Sequence, residues 1–262
     1  MRYYVVDAFT DAVFSGNPAG VCIAEQELSA AMMQQIAAEN NLSETAFVVK
    51  RGEPGEYGLR WFTPKAEVDL CGHATLGAAY VIARYVAPRI QCMHFYTQVS
   101  GELTVRCSKG LFELDFPARA PQPVELTTPM QEVAGVPVLE AHLSRDLMLV
   151  LPDADAVRAA NPDMERLAAL DGMGVILTAP GGGRDTDFVS RFFAPKVGVP
   201  EDPVTGSAHC TLIPYWAQRL GKESMLAKQL SARGGTLYCR LDGGRVRIAG
   251  KAALYLQGQI FA

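Results

Sequence analysis

The chain has 262 residues, 49% hydrophobic and 20% charged, with 24 Lys and Arg against 28 Asp and Glu and a net charge of −4. This composition supports a sizeable core in one large domain or two small ones and excludes a disordered chain. It also excludes a basic field for nucleic acid and a polybasic membrane patch. The opening residues MRYYVVDAFTDAVF carry Asp7 and Asp11 and no continuous apolar run, so no signal peptide is expected. The longest apolar stretch, ATLGAAYVIARYVA (74–87), is broken by Arg84 and falls short of the roughly 20 residues that span a bilayer. A soluble, cytoplasmic protein with no membrane or nucleic-acid partner is the expectation. Cys22, Cys71, Cys92, Cys107, Cys210 and Cys239 form no C-x-x-C pair and are expected as reduced, mostly buried thiols.

In chain order, RYYVVDAF reads as a strand. Ser29 can cap a helix over AAMMQQIAAEN (30–40), whose Met, Ile and Ala positions form an apolar face. SETAFVVK and YGLRWFT follow as strands. The segment from Gly72 to Val86 reads as a helix that is apolar nearly all round, and so does Gly206 to Leu220; a helix without a polar face is surrounded by protein. FYTQVSGELTVRC and LFELDF read as paired strands with SKG as the turn. PGGGR (180–184) is Gly-rich but lacks the Lys-Ser/Thr of a phosphate loop, and reads as a flexible connection.

An internal repeat organises these elements. RWFTPKAEVDLCGHATLGAAY (60–80) and RFFAPKVGVPEDPVTGSAHCTLIPY (191–215) both open R-[WF]-F-[TA]-P-K and both reach a Gly-polar-Ala step that begins an apolar segment. Arg60 and Arg191 stand 131 residues apart, and His73 and Ser207 stand 134 apart, because the second copy carries three extra residues around PED. SGELTVRC (100–107) and GGTLYCRL (234–241) keep the later offset. The chain is therefore expected to hold two similar domains, 1–118 and 119–262, joined by the proline-rich segment PARAPQPVELTTP (117–129). Each would be a strand-rich, barrel-like shell around a central apolar helix, an α+β architecture rather than a parallel Rossmann sheet.

CGHAT (71–75) and TGSAH (205–209) both sit where a helix begins. Free N–H groups of a first turn and the helix dipole favour an anion there, and glycine allows close approach to the backbone. Two such helix starts converging on a groove between the domains would suit a small carboxylate; tight helix–strand packing is the plainer role for those glycines. Glu44 stands between a helix end and the apolar run Ala46–Val49. It could cap or pair with a cation, or it could be desolvated with a raised pKa, the state a carboxylate needs to give and take a proton near neutrality. His73, at a helix start, is expected as a neutral imidazole, either a satisfied core residue or a proton relay. Asp202 could stabilise the EDPV turn or line a site. The four histidines show no metal-ligand spacing, and no G-x-G-x-x-G opens a helix after a strand, so neither a metal nor a nicotinamide or other cofactor is expected.

DAFT (7–10), GNPAG (16–20), SETAF (43–47), FTPKAEVDLCGHAT (62–75) and FFAPKVGVPEDPVTGSA (192–208) together resemble the phenazine-biosynthesis isomerase family, the PhzF-like proteins, from end to end of the chain. The resemblance implies the diaminopimelate epimerase-like fold and an acid/base proton shift on a small carboxylate. It implies Glu44 as the acid/base, His73 and Asp202 as further site residues, and Gly72, His73, Gly206 and Ser207 as the substrate-holding positions; a homodimer is the family-like expectation. Related racemases use two thiols. Here Cys71 matches Thr205 in the repeat, and a hydroxyl is a far weaker acid than a thiol, so Cys71 is read as structural. The leading expectation is thus a cofactor-independent isomerase working through one glutamate. The alternatives are an amino-acid racemase or epimerase and a non-catalytic protein that binds a small carboxylate on the same fold.

Overall fold

The computed structural model describes residues 1–183 and 185–262; Arg184, the last residue of PGGGR, lies outside them. The first elements are β1 (Arg2–Ala8), β2 (Asn17–Ala24), α1 (Ala30–Asn40), β3 (Glu44–Lys50), β4 (Glu56–Phe62), β5 (Glu67–Val68), α2 (Gly72–Val81), β6 (Cys92–Tyr96), β7 (Glu102–Ser108) and β8 (Leu111–Pro117). Then come β9 (Gln122–Val124), α3 (Thr128–Val133), β10 (Glu140–Leu143), β11 (Leu147–Val150), α4 (Ala154–Ala159), α5 (Met164–Ala169), β12 (Val175–Gly183) and β13 (Thr186–Ala194). The last are β14 (Val199–Asp202), α6 (Gly206–Leu220), β15 (Ser224–Gln229), β16 (Gly235–Asp242), β17 (Arg245–Gly250) and β18 (Ala252–Gln259).

These fall into two compact units, Met1–Asp115 with Ala249–Ala262, and Phe116–Ile248. The boundary differs from the expected 118/119 in one important respect: the C-terminal strand belongs to the first unit. β18 pairs antiparallel with the whole of β1, across a bulge at Val5/Val6, and Met1 and Ile260 exchange backbone hydrogen bonds at their ends. β1 needs a neighbour on this edge for its backbone donors and acceptors, and the last strand is its partner. The proline-rich segment 117–129 is only partly connecting chain, since β9 pairs antiparallel with β10 and Pro129 lies in the first turn of α3. Pro180–Gly183 end strand β12 rather than forming a loose connection.

In the first unit, β2 and β3 are parallel and α1 is the crossover between them. Ser29 Oγ accepts the Met32 N–H at 3.2 Å, and Asn41 closes the helix in a left-handed conformation (φ 50°), returning its N–H to Ala37. Met33, Ile36 and Ala37 bury against Tyr3, Val5, Cys22, Phe47 and Phe62. The β7–β8 hairpin turns at Lys109 (φ 50°) and Gly110 (φ 79°), the positive-φ pair that matches strand twist in a two-residue turn. Helix α2 is the core of the unit. His73 to Ala79 and Val81 are all buried, against β1, β2, β3 and β18. Its expected continuation to Val86 is a π-helical turn over Ile82–Val86, closed by Ala87 N–H to Ile82 C=O at 2.7 Å.

The second unit repeats the plan. β4 pairs antiparallel with β5 and parallel with β6 across α2; β13 pairs antiparallel with β14 and parallel with β15 across α6. The repeated arginines do the same work: Arg60 grips Glu67 with two bonds of 2.7 Å and lies over Phe62, and Arg191 grips Glu201 at 2.7 and 3.0 Å and lies over Phe193. Such a planar fork holds the short strand before each helix start in register with its neighbour. α6 buries Trp216, which stacks on Phe188 of β13 and donates to Thr178 Oγ1 at 3.0 Å. Among the described residues no helix is long and apolar enough to cross a membrane.

Candidate active site

The turn at Asn41 delivers Glu44 as the first residue of β3, in parallel register with Ala19 of β2. Cys71, extended in backbone conformation, precedes α2, and Thr75 Oγ1 donates back to the Cys71 carbonyl at 2.6 Å. This local bonding fixes the first turn, so the His73 side chain is held in place. Its Nε2 lies 3.1 Å from Glu44 Oε2, and its Nδ1 lies 3.5 Å from Cys71 Sγ. The imidazole is buried, at 7% exposure, while the Glu44 side chain keeps 21%. The carboxylate is the member of the trio that solvent, or a ligand, can reach.

Electrostatics here differ from the sequence expectation. Burial alone would raise the Glu44 carboxyl, but the charge and hydrogen bond of His73 outweigh it and leave the group below its ordinary range. Burial likewise opposes the His73 cation, but the Cys71 sulfur and the Glu44 carboxylate beside it outweigh that effect and hold the imidazole well above its ordinary range. The expected protonatable Glu44 and neutral His73 are therefore corrected to a carboxylate–imidazolium pair. A partner 29 residues away in sequence decides both states. Burial, reinforced by Glu44, raises the Cys71 thiol, which stays protonated. Cys71, read from sequence as a structural residue, stands inside the constellation. The donor atoms of Glu44, Cys71 and His73 all lie within 4.8 Å of one another, as a metal site would require.

The second unit assembles a different group around the start of α6. Thr205, the counterpart of Cys71, donates its hydroxyl to Asp202 Oδ2 at 2.5 Å. Gln229 of β15 ties the turn: its Oε1 accepts the Thr205 N–H at 2.8 Å and its Nε2 donates to the Asp202 carbonyl at 2.8 Å. Ser207 Oγ accepts from Arg145 Nη2 at 3.0 Å, and Arg145 pairs with the buried Asp146 at 2.6 Å. Asp202 and Ser207 are thus brought together by one helix start, and Glu44 and His73 by the other, with Gly72 and Gly206 opening the two helices. Sequence reasoning missed Gln229 and Arg145, which carry no motif. It set His209 aside as packing, in agreement with a fully buried ring whose Nδ1 meets the Thr205 carbonyl at 2.8 Å and whose imidazole burial pushes down to about 4.

Comparison with known proteins fits this geometry. The family model of phenazine biosynthesis-like proteins (PhzC-PhzF) matches residues 6–258. A Pseudomonas aeruginosa protein named an uncharacterized isomerase is 51% identical over 261 residues, covering 99% of this chain and 98% of its own. The crystal structure of a PhzF family phenazine biosynthesis protein from Enterococcus faecalis superposes with a TM-score of 0.96 at 48% identity, covering 100% of this chain and 99% of that one. A probable proline racemase from Agrobacterium radiobacter shares the fold alone, with a TM-score of 0.63 at 9% identity over 99% of this chain and 92% of its own. These likenesses bear out the diaminopimelate epimerase-like α+β fold and make the chain an isomerase-type enzyme. With its family model matched over nearly its whole length, the chain belongs to the phenazine biosynthesis-like, PhzC-PhzF family.

Proposed function

We propose that the protein is a cofactor-independent isomerase that moves a proton within a small carboxylate substrate through Glu44. The observation that carries this reading is the contact between Glu44 and His73: a carboxylate kept ionised by a buried imidazolium, yet open enough to meet a ligand. An ionised Glu44 is a competent base for an acidic C–H. The proton it takes is then held between Glu44 Oε2 and His73 Nε2, and can return to another carbon on the same face of the substrate. N–H groups at Gly72 and His73 suit the developing enolate-like charge. In the same reading, Gly206 and Ser207 contribute to holding the substrate carboxylate, and Asp202 orients it or its amino group.

Solvent deuterium incorporation tests the assignment. Candidate unsaturated and amino carboxylates are first screened by thermal stabilisation, then incubated in heavy water with wild type and Glu44→Gln. Exchange should fall by at least ~100-fold in Glu44→Gln; exchange at the wild-type rate removes Glu44 as the base. A second reading, epimerisation with Cys71 as a further proton carrier, is favoured by the 3.5 Å approach of its sulfur to His73. On that reading Cys71→Ser abolishes turnover, and product forms with inverted stereochemistry and an unmoved double bond. On the leading reading Cys71→Ser has a small effect.

A further inference from the structure

We propose that Glu44, Cys71 and His73 form a binding site for a soft divalent cation, with Zn²⁺ as the natural probe. Three protein donors of these types, carboxylate O, thiolate S and imidazole N, with one position left open are the donor set of a zinc site that keeps a water or ligand in the fourth place. Bond lengths of about 2.0–2.3 Å in a tetrahedron put the donors about 3.3–3.6 Å apart. Glu44 Oε2 lies 3.1 Å from His73 Nε2, and Cys71 Sγ lies 4.0 Å from the same nitrogen. Adjustments of a few tenths of an ångström complete the geometry. The open position falls on the side of Glu44, whose side chain is the exposed member of the three.

The charge balance also fits. Without metal, the cluster holds a carboxylate, an imidazolium and a neutral thiol, with no net charge. Zn²⁺ entering as the thiol and imidazolium each release one proton leaves a carboxylate, a thiolate, a neutral imidazole and the ion, again with no net charge. The buried site therefore exchanges two protons for one ion without stranding a charge in a low-dielectric interior. A thiolate and an imidazole favour zinc or cobalt over magnesium or calcium. No sequence spacing announces the site, because Glu44 is contributed by a strand far upstream of the C-x-H step.

A second thiol–imidazole pair supplies the control. Cys92 Sγ lies 3.6 Å from His94 Nε2, but Glu102 occupies the other ring nitrogen, at 2.6 Å from Nδ1. An ion on that Nε2 meets one protein donor besides the ring, so this pair makes a poorer site.

Full-length protein stripped with a chelator and titrated with Zn²⁺ alone, by calorimetry, should bind one ion per chain with release of two protons. Co²⁺ in its place should give a thiolate-to-cobalt charge-transfer band. Cys71→Ser should abolish the band and weaken Zn²⁺ at least ~100-fold, and Glu44→Gln should keep the band and weaken Zn²⁺ at least ~10-fold. Cys92→Ser should change neither. Absence of a one-to-one ion, a band retained in Cys71→Ser, unchanged affinity in Glu44→Gln, or a band lost in Cys92→Ser overturns the proposal. Binding is read without turnover, so deuterium exchange without zinc binding removes this site alone, and zinc binding without exchange removes the isomerase reading alone. If both hold, the ion occupies the proton-carrying lone pairs and Zn²⁺ inhibits exchange.

Discussion

At the residue scale, the Glu44–His73 pair makes a signed prediction about pH. Glu44 is lowered from an ordinary value of 4.5, so its contribution to stability is present above that value and is lost as pH falls through the folded one. His73 is raised above 6.5, so its contribution is fully present below 6.5 and is lost as pH rises through the folded value. The two overlap fully between 4.5 and 6.5. His73→Gln keeps a donor near Nε2 but removes the charge. Denaturant unfolding should show it less stable than wild type by about 2 kcal/mol near pH 5.5, with the gap narrowing toward both strong acid and strong base. A gap that is flat with pH would mean the pair is not ionised. The positions of Glu44 and His73 were legible in SETAF and CGHAT, but their charge states were not, since each depends on a partner visible only after folding. Arg145 and Gln229 were illegible for a related reason: polar side chains that orient Ser207 and Thr205 have no sequence signature of their own.

At the element scale, the two buried helices were readable because neither has a polar face, and α6 runs from Gly206 to Leu220 as its sequence predicts. Pro214 inside α6 is the element's local conflict. A proline there cannot donate to the Cys210 carbonyl one turn back, and an interior proline ordinarily costs a helix about 3 kcal/mol. The conflict is resolved by the chain after β8, where the Arg119 N–H donates to the Cys210 carbonyl at 2.9 Å. The acceptor is satisfied, so Pro214→Ala regains little on folding while loosening the unfolded chain. Thermal unfolding should place Pro214→Ala within ~1 kcal/mol of wild type. A gain near 3 kcal/mol would mean that the proline is simply tolerated strain. The π turn after α2 was not readable, because IARYV continues the apolar helical pattern and only the backbone bond from Ala87 to Ile82 distinguishes it.

At the scale of the whole molecule, duplication was legible and its closure was not. The repeat fixed the order of strand, short strand, Gly-led helix and parallel return strand in each unit, and the paired arginine forks show that the likeness extends to side-chain geometry. A repeat offset, however, implies two consecutive halves, whereas the chain ends by returning β18 to the first unit. Edge pairing of this kind leaves no motif, since strand alternation does not name a partner. The consequence is testable because β18 carries none of the site residues. A chain ending at Gly250 strips β1 of its antiparallel neighbour along Arg2–Ala8 and removes part of the wall against which α2 buries. Exposing a long apolar edge invites aggregation. Circular dichroism and size-exclusion chromatography should show this truncated chain losing cooperative unfolding of the first unit, or aggregating, with loss of exchange although Glu44, Cys71 and His73 remain. A truncated chain that unfolds cooperatively at the wild-type temperature would show that β1 and α2 hold the first unit without its last strand.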